Sequence, residues 1–166
     1  MEHRQALAVL MAAVLGTGCM SVMSVIDRPF REPGEHLKAF PEKVWKQYEC
    51  DKQPLPFFKI EQLDLSPRRV KPGEQFKQRL VYALCTAAST GVVTGHFETR
   101  IMHRGRAVVH EGDSQYDLKP GRWVIDSFVR LPEEAEVGIY AFELEFKSDL
   151  IEFEKTMTFA VEAARK

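Results

Sequence analysis

From residue 57 almost to its end the chain alternates apolar with polar side chains, and a period of two over so long a stretch admits strands and little else. The alternation predicts strands over 57–65, 75–85, 92–103, 106–111, 122–131, 138–147 and 150–162. Between them lie turn signals: Lys71-Pro72-Gly73, Arg104-Gly105, Lys119-Pro120-Gly121, Pro132, Gly138 and Ser148-Asp149. Seven short strands without intervening helices predict an all-β fold, a seven-stranded antiparallel β-sandwich.

The faces are clearest in the last three strands. Trp123, Ile125, Val129 and Leu131 alternate with Asp126 and Arg130. Tyr140, Phe142, Leu144 and Phe146 alternate with Glu143 and Glu145. Ile151, Phe153, Met157, Phe159 and Val161 alternate with Glu152, Glu154 and Glu162. The apolar set is expected inside and the polar set in water. Leu80-Val81-Tyr82-Ala83-Leu84-Cys85 breaks the pattern, being apolar on both faces, so its outer face needs a cover of its own. Upstream, Leu37, Phe40, Val44, Trp45 and Tyr48 recur at intervals of three and four. They predict a short amphipathic helix within His36–Tyr48, with Pro41 suited to a first turn, and this helix is the expected cover.

The N-terminus follows other rules. Arg4 precedes an uncharged apolar run from Ala6 to Leu15, which is too short for a membrane span of about 20 residues but suits the core of an export signal. Leu15-Gly16-Thr17-Gly18-Cys19 resembles the lipobox of bacterial lipoproteins, although Leu15 stands one place further from the cysteine than is usual there. The resemblance implies a signal peptide over 1–18, a lipid anchor on Cys19, a tether over 19–35 and a domain over 36–166. It also implies an envelope protein facing the periplasm and held by its lipid in a membrane, with Met20 after the cysteine favouring the outer one. Acyl chains on Cys19 would suffice for stable attachment.

With Cys19 lipidated, Cys50 and Cys85 remain, and an oxidising compartment favours a disulfide between them. The alternatives are two buried free thiols, a metal site or a catalytic thiol. Neither cysteine has a second Cys or a His at metal-ligand spacing, and neither sits in a nucleophile motif.

Gly138-Ile139-Tyr140 resembles the Gly-x-Tyr of immunoglobulin-like domains, in which the Tyr hydroxyl ties down the preceding corner. The resemblance implies an Ig-like or fibronectin-type sandwich over 57–162. The antibody-type disulfide has no counterpart, since Phe142 stands where its second cysteine would fall.

The chain offers three clusters of chemically active side chains. His96, His103 and His110 are evenly spaced, but a two-residue turn at Arg104-Gly105 would put His110 opposite Thr99 and His96 far along the strand, so no shared metal is expected. Arg100, His103, Arg104 and Arg106 make a basic hairpin tip, a candidate contact for an anionic headgroup, a glycan phosphate or an acidic protein. Glu143, Glu145, Glu152 and Glu154 would give an envelope hydrolase its acid and base only if a cleft brought two of them together. Phosphate-loop, serine-hydrolase and zinc-protease motifs are absent from the sequence, so no cofactor is expected. With 23 Lys and Arg against 24 Asp and Glu, the chain lacks the field of a nucleic-acid binder. The expected function is a non-enzymatic binding or adaptor module for an envelope protein or glycan. A small-ligand carrier, with its pocket between the sheets or under the helix, is the alternative.

Overall fold

The computed structural model describes residues 34–163. The expected signal peptide, Cys19 and all but the last two residues of the expected tether lie outside the described residues. In chain order the elements are β1 (Glu35–Ala39), α1 (Pro41–Tyr48), a 3-10 turn (Cys50–Lys52), β2 (Phe57–Ser66), β3 (Arg69–Val70), β4 (Gln75–Cys85), β5 (Val93–His103), β6 (Arg106–Leu118), β7 (Gly121–Arg130), β8 (Gly138–Lys147) and β9 (Glu152–Val161). They form two sheets, β1-β7-β4-β2 and β3-β9-β8-β5-β6, packed as an all-β sandwich.

The alternating apolar residues meet between the sheets as expected. Phe76 of β4 packs on Phe159 of β9 at 4.8 Å between ring centroids and edge-on to Phe142 of β8 at 6.1 Å. Phe58 of β2 stacks on Phe153 of β9 at 5.0 Å. Leu80, Tyr82, Leu84, Phe142, Leu144 and Phe146 are completely buried, so each contributes roughly 1.5–3 kcal/mol of transfer free energy.

The described residues hold nine strands, not seven, and β3 lies parallel to β9, so the sandwich is not wholly antiparallel. The helix expected within His36–Tyr48 occupies only its second part, because residues 35–39 pair with β7 as a strand and α1 begins at Pro41. Proline restricts the residue before it to extended backbone, and Phe40 has φ −64° and ψ 156°. The helix thus starts at Pro41, the residue whose place in the sequence suits a first turn, and not at His36. Glu35 masked β1 from the alternation, since it occupies a buried position where an apolar residue is expected. Strand β6 runs seven residues past the expected 106–111, along a polar stretch on the edge of its sheet.

The doubly apolar strand finds its cover. Val44 of α1 is completely buried against Ala83 and Cys85 on the outer face of β4, with Ala39 and Cys50 in the same cluster and Trp45, Tyr48 and Phe57 around it. Cys50 and Cys85 form a disulfide with 6.4 Å between Cα atoms. A second clamp lies beside it: Arg122 donates from Nε and Nη2 to the two oxygens of Glu61, at 2.6 and 2.7 Å, and Tyr48 of α1 donates to the same carboxylate at 2.7 Å. Burial opposes the charge on Glu61, but the hydrogen bonds from Arg122 and Tyr48 and the charge of Arg122 outweigh it, so its pKa is lowered. Gly121 lets the β1–α1 junction approach, since a Cβ there would lie 2.8 Å from the Ala39 carbonyl and its φ is +104°.

The disulfide spans 35 residues. Replacing both cysteines with alanine should lower the unfolding free energy by about 3–4 kcal/mol in urea titrations, with α1 detaching before the sheets. An unchanged midpoint would mean that packing alone holds the helix.

Candidate functional site

The β5–β6 hairpin bears the four residues of the expected basic tip, and Arg104 and Gly105 at φ 48° and 76° give it the two-residue turn of primed type that matches strand twist. The four basic residues part company there. Arg100 lies on the outer face of its sheet, where it donates to Glu143 at 3.0 Å and to Glu98 and Glu145 at 3.2 Å each. His103 stacks on Tyr140 at 4.1 Å, with Nδ1 3.1 Å from the Ile139 carbonyl oxygen. Gly138 admits the ring, because a Cβ there would meet His103 Cε1 at 3.0 Å. Arg104 donates to Glu136 at 2.6 Å. Arg106 alone of the four has a side chain without a hydrogen bond or ion pair among the described residues, although its backbone pairs with His103.

His103, Arg104 and Arg106, but not Arg100, border a cleft of about 600 Å³ between the hairpin and residues 132–136, also lined by Val108, Pro132 and Glu134. Its floor is fixed by Tyr140, whose hydroxyl donates to the Glu136 carbonyl at 2.8 Å and ties down the corner before β8. Burial pushes the pKa of this phenol up. The Nε2 of His103 is buried without a hydrogen bond, 3.8 Å from Glu136 Oε2. The cleft therefore presents both signs of charge, Arg104 and Arg106 against Glu134 and Glu136, and no purely basic tip exists.

The three histidines divide. A register shift between Ile101 and Met102 sets His110 opposite Arg100, with Glu111 opposite Thr99. His110 and His96 both reach Glu98, at 2.7 and 3.3 Å, whereas His103 stays at the turn. Burial opposes the charge on Glu98, but the His96 hydrogen bond and the neighbouring Arg100, His110 and His96 outweigh it and lower its pKa. Among the described residues no three His, Cys, Asp or Glu side chains are placed to hold a metal ion.

On the same sheet face Glu143 and Glu145 share Arg100, Glu152 pairs with Lys147 at 3.9 Å, and Glu154 stands across from Glu145. The carboxylates thus lie on a regular sheet surface. On the opposite sheet a smaller hollow of about 320 Å³ sits between α1 and the end of β4, lined in part by Pro41, Trp45, Leu84, Cys85 and Pro120.

Two polar clusters gave no recognisable signal in the sequence. Glu35 of β1 is buried with Lys119, and it accepts hydrogen bonds from the Lys119 ammonium and the Tyr116 hydroxyl of β6. Lys119 also lies over the Trp123 ring, 5.4 Å from its centroid. This cluster closes the sandwich along the side where β1 and β6 are the edge strands. Lys119 reads as a turn residue because its neighbours are Pro120 and Gly121, and burial of such a charge depends on a partner 84 residues away. The second cluster is Asp126, held by Arg79 Nε and Nη2 at 2.7 and 2.8 Å and by Lys77 at 2.8 Å.

No family model and no curated protein matches this chain. Among solved structures it is similar to an alkylpurine DNA glycosylase of Pseudomonas fluorescens bound to DNA containing an abasic site analog, at 12% identity and a TM-score of 0.47 over 64% of this chain and 30% of that one. A sporulation control protein of Bacillus subtilis matches at 9% identity and 0.41, over 66% and 50% of the two chains. A family 123 glycoside hydrolase of Clostridium perfringens matches at 13% and 0.43, over 76% and 26%. The chain spans half or less of the length of each. All three TM-scores lie below one half.

The Asp126 cluster yields a pH prediction. Arg79 first, then Lys77, holds the Asp126 carboxyl down from 3.8 to about 2 against the opposing effect of burial. A depressed folded pKa contributes stability above the unfolded value and loses it as pH falls through the folded one. Because Arg79 is partly exposed, the contribution is about 1–2 kcal/mol. Asp126→Asn should therefore unfold more easily than wild type at neutral pH, with the gap closing between about pH 4 and pH 2 in urea titrations. A gap independent of pH would assign the loss to packing.

Proposed function

We propose that this chain is a lipid-anchored protein of a bacterial cell envelope whose immunoglobulin-like sandwich binds another envelope component through the edge of β6. The anchor reading rests on the Ala6–Leu15 run and on Leu15-Gly16-Thr17-Gly18-Cys19. Among the described residues no helix is long and apolar enough to cross a membrane, so attachment in this reading falls to acyl chains on Cys19.

Strand order supports the finer fold reading. In constant-type immunoglobulin domains one sheet runs A-B-E-D and the other holds C, F and G. Here β2, β4, β7 and β1 stand in the places of A, B, E and D, and β5, β8 and β9 in those of C, F and G. The fourth position beside β7 is thus filled from the N-terminal side of the chain, by β1. The Tyr140–Glu136 hydrogen bond is the expected corner. The Cys50–Cys85 bridge, by contrast, ties the helix to one sheet and takes no part in joining the two.

The observation that carries the binding role is β6 itself. It is 13 residues long, lies at the edge of its sheet, and from Arg106 to Gln115 is exposed except for half-buried Val109. An edge strand leaves alternate backbone N–H and C=O groups unpaired, and these can accept an added strand from a partner. Register shifts on either side confine the regular stretch to Val109–Asp113. The hollow beside Trp45 favours a second reading as a small-ligand carrier, for which its 320 Å³ is near the lower bound of ligand pockets. Native mass spectrometry of the purified protein would reveal such a cargo.

A photo-crosslinking residue at His110, introduced in living cells, should join the chain to one defined envelope component. Cys19→Ala should abolish both palmitate labelling and that adduct. Palmitate on the wild type with no adduct from β6 would keep the anchor and remove the edge. Equal labelling of both forms would remove the anchor.

A further inference from the structure

We infer that the segment added to β6 is an extended basic peptide with cationic side chains at two alternating positions, facing Glu111 and Asp113, and an apolar one facing Val109. This names the partner chemistry of the site proposed above and rests on that reading.

Between Arg106 and Lys119 strand β6 contains no Lys or Arg, but it contains Glu111, Asp113 and Asp117. Asp117 accepts the Thr94 hydroxyl at 2.5 Å and lies in the half-buried part of the strand. Glu111 is exposed, and its side chain has no hydrogen bond or ion pair among the described residues. Asp113 accepts the Gln115 backbone N–H at 2.9 Å and has no cationic partner among them. Both acids fall inside the regular stretch bracketed by the two register shifts. They share a face with Val109, as their pairing with Thr99, Phe97 and Ile101 on β5 fixes. The other face of the stretch holds His110, engaged with Glu98, and Gly112, which has no side chain.

An antiparallel partner would bring its own side chains directly opposite Asp113, Glu111 and Val109 in that order. Opposite charges so placed attract and like charges repel, which fixes the order basic, any, basic, any, apolar from the partner's N-terminus. The backbone of β6 supplies the pairing and the two carboxylates supply the selection. On the opposite face of the same sheet Glu98, Glu143 and Glu145 share one fixed cation, Arg100, among the described residues, so the field there also favours a basic chain.

The test uses the whole chain in detergent and two end-blocked peptides, Lys-Thr-Lys-Thr-Val-Thr and Glu-Thr-Glu-Thr-Val-Thr. The basic peptide should slow hydrogen exchange at residues 109–113 and bind about tenfold more tightly than the acidic one, with the preference weakening in salt. Glu111→Lys with Asp113→Lys should reverse the preference, and an unchanged unfolding midpoint would show the variant folded. Equal protection by both peptides would overturn the charge selection and leave the edge reading standing. Binding of the basic peptide without protection of 109–113 would overturn the inference by placing the contact on the outer-face carboxylates. Protection by neither peptide would overturn both the inference and the edge reading.

Discussion

Val81, Ala83 and Cys85 point away from the sandwich core, while Leu80, Tyr82 and Leu84 of the same strand point into it. A strand buried on both faces cannot be satisfied by two sheets alone, and most of what distinguishes this domain follows from supplying a third layer over β4. Helix α1 provides it through Val44. The disulfide fixes the end of the helix to β4, and the carboxylate of Glu61 gathers Tyr48 and Arg122 beside it. Strand β1 leads into that helix, so covering β4 also sets the place where the chain joins β7.

The two flanks of the sandwich are closed by different physics. Along β2 and β9 the seal is aromatic, with Phe58 stacked on Phe153. Along β1 and β6 it is ionic, with Glu35, Lys119 and Tyr116 buried together. A buried ion pair tolerates loss of one partner poorly, because the charge left behind has neither water nor a counter-ion. The ionic seal acts at the C-terminal end of β6 and leaves the earlier part of that strand outside the cover of β1, which is only five residues long. Exposure of the Val109–Asp113 edge is thus a consequence of how the flank is closed.

Much of this architecture was legible in residue order. The bounds of β4 and β8 fell where the alternation put them, and the cover over β4 was implied by a strand apolar on both sides. Tyr140 behaved as its Gly-x-Tyr setting implied. Three elements were harder to read for separate reasons. Charged Glu35 at a core position masked β1, Arg69–Val70 is too short to show a period, and the polar second half of β6 belongs to an edge with little apolar surface to bury. The basic tip was legible as composition only: Arg100 and Arg106 are six residues apart, yet one lies among three carboxylates and the other in a cleft.

Periodicity and side-chain chemistry are local properties, and what they govern was already determined by the sequence: the strand class, the inward faces, the need for a helical cover, and a cysteine pair suited to bridging. Tertiary structure decided which charges meet. Glu35 with Lys119, Arg79 with Asp126 and Arg100 with Glu143 depend on strand order and register, and a shift of one residue would send every side chain of a strand to the opposite face. The same register decided that Glu111 and Asp113 would stand together on an edge that, among the described residues, has neither a neighbouring strand nor a cation beside it, because no local rule of sequence specifies what lies across such an edge.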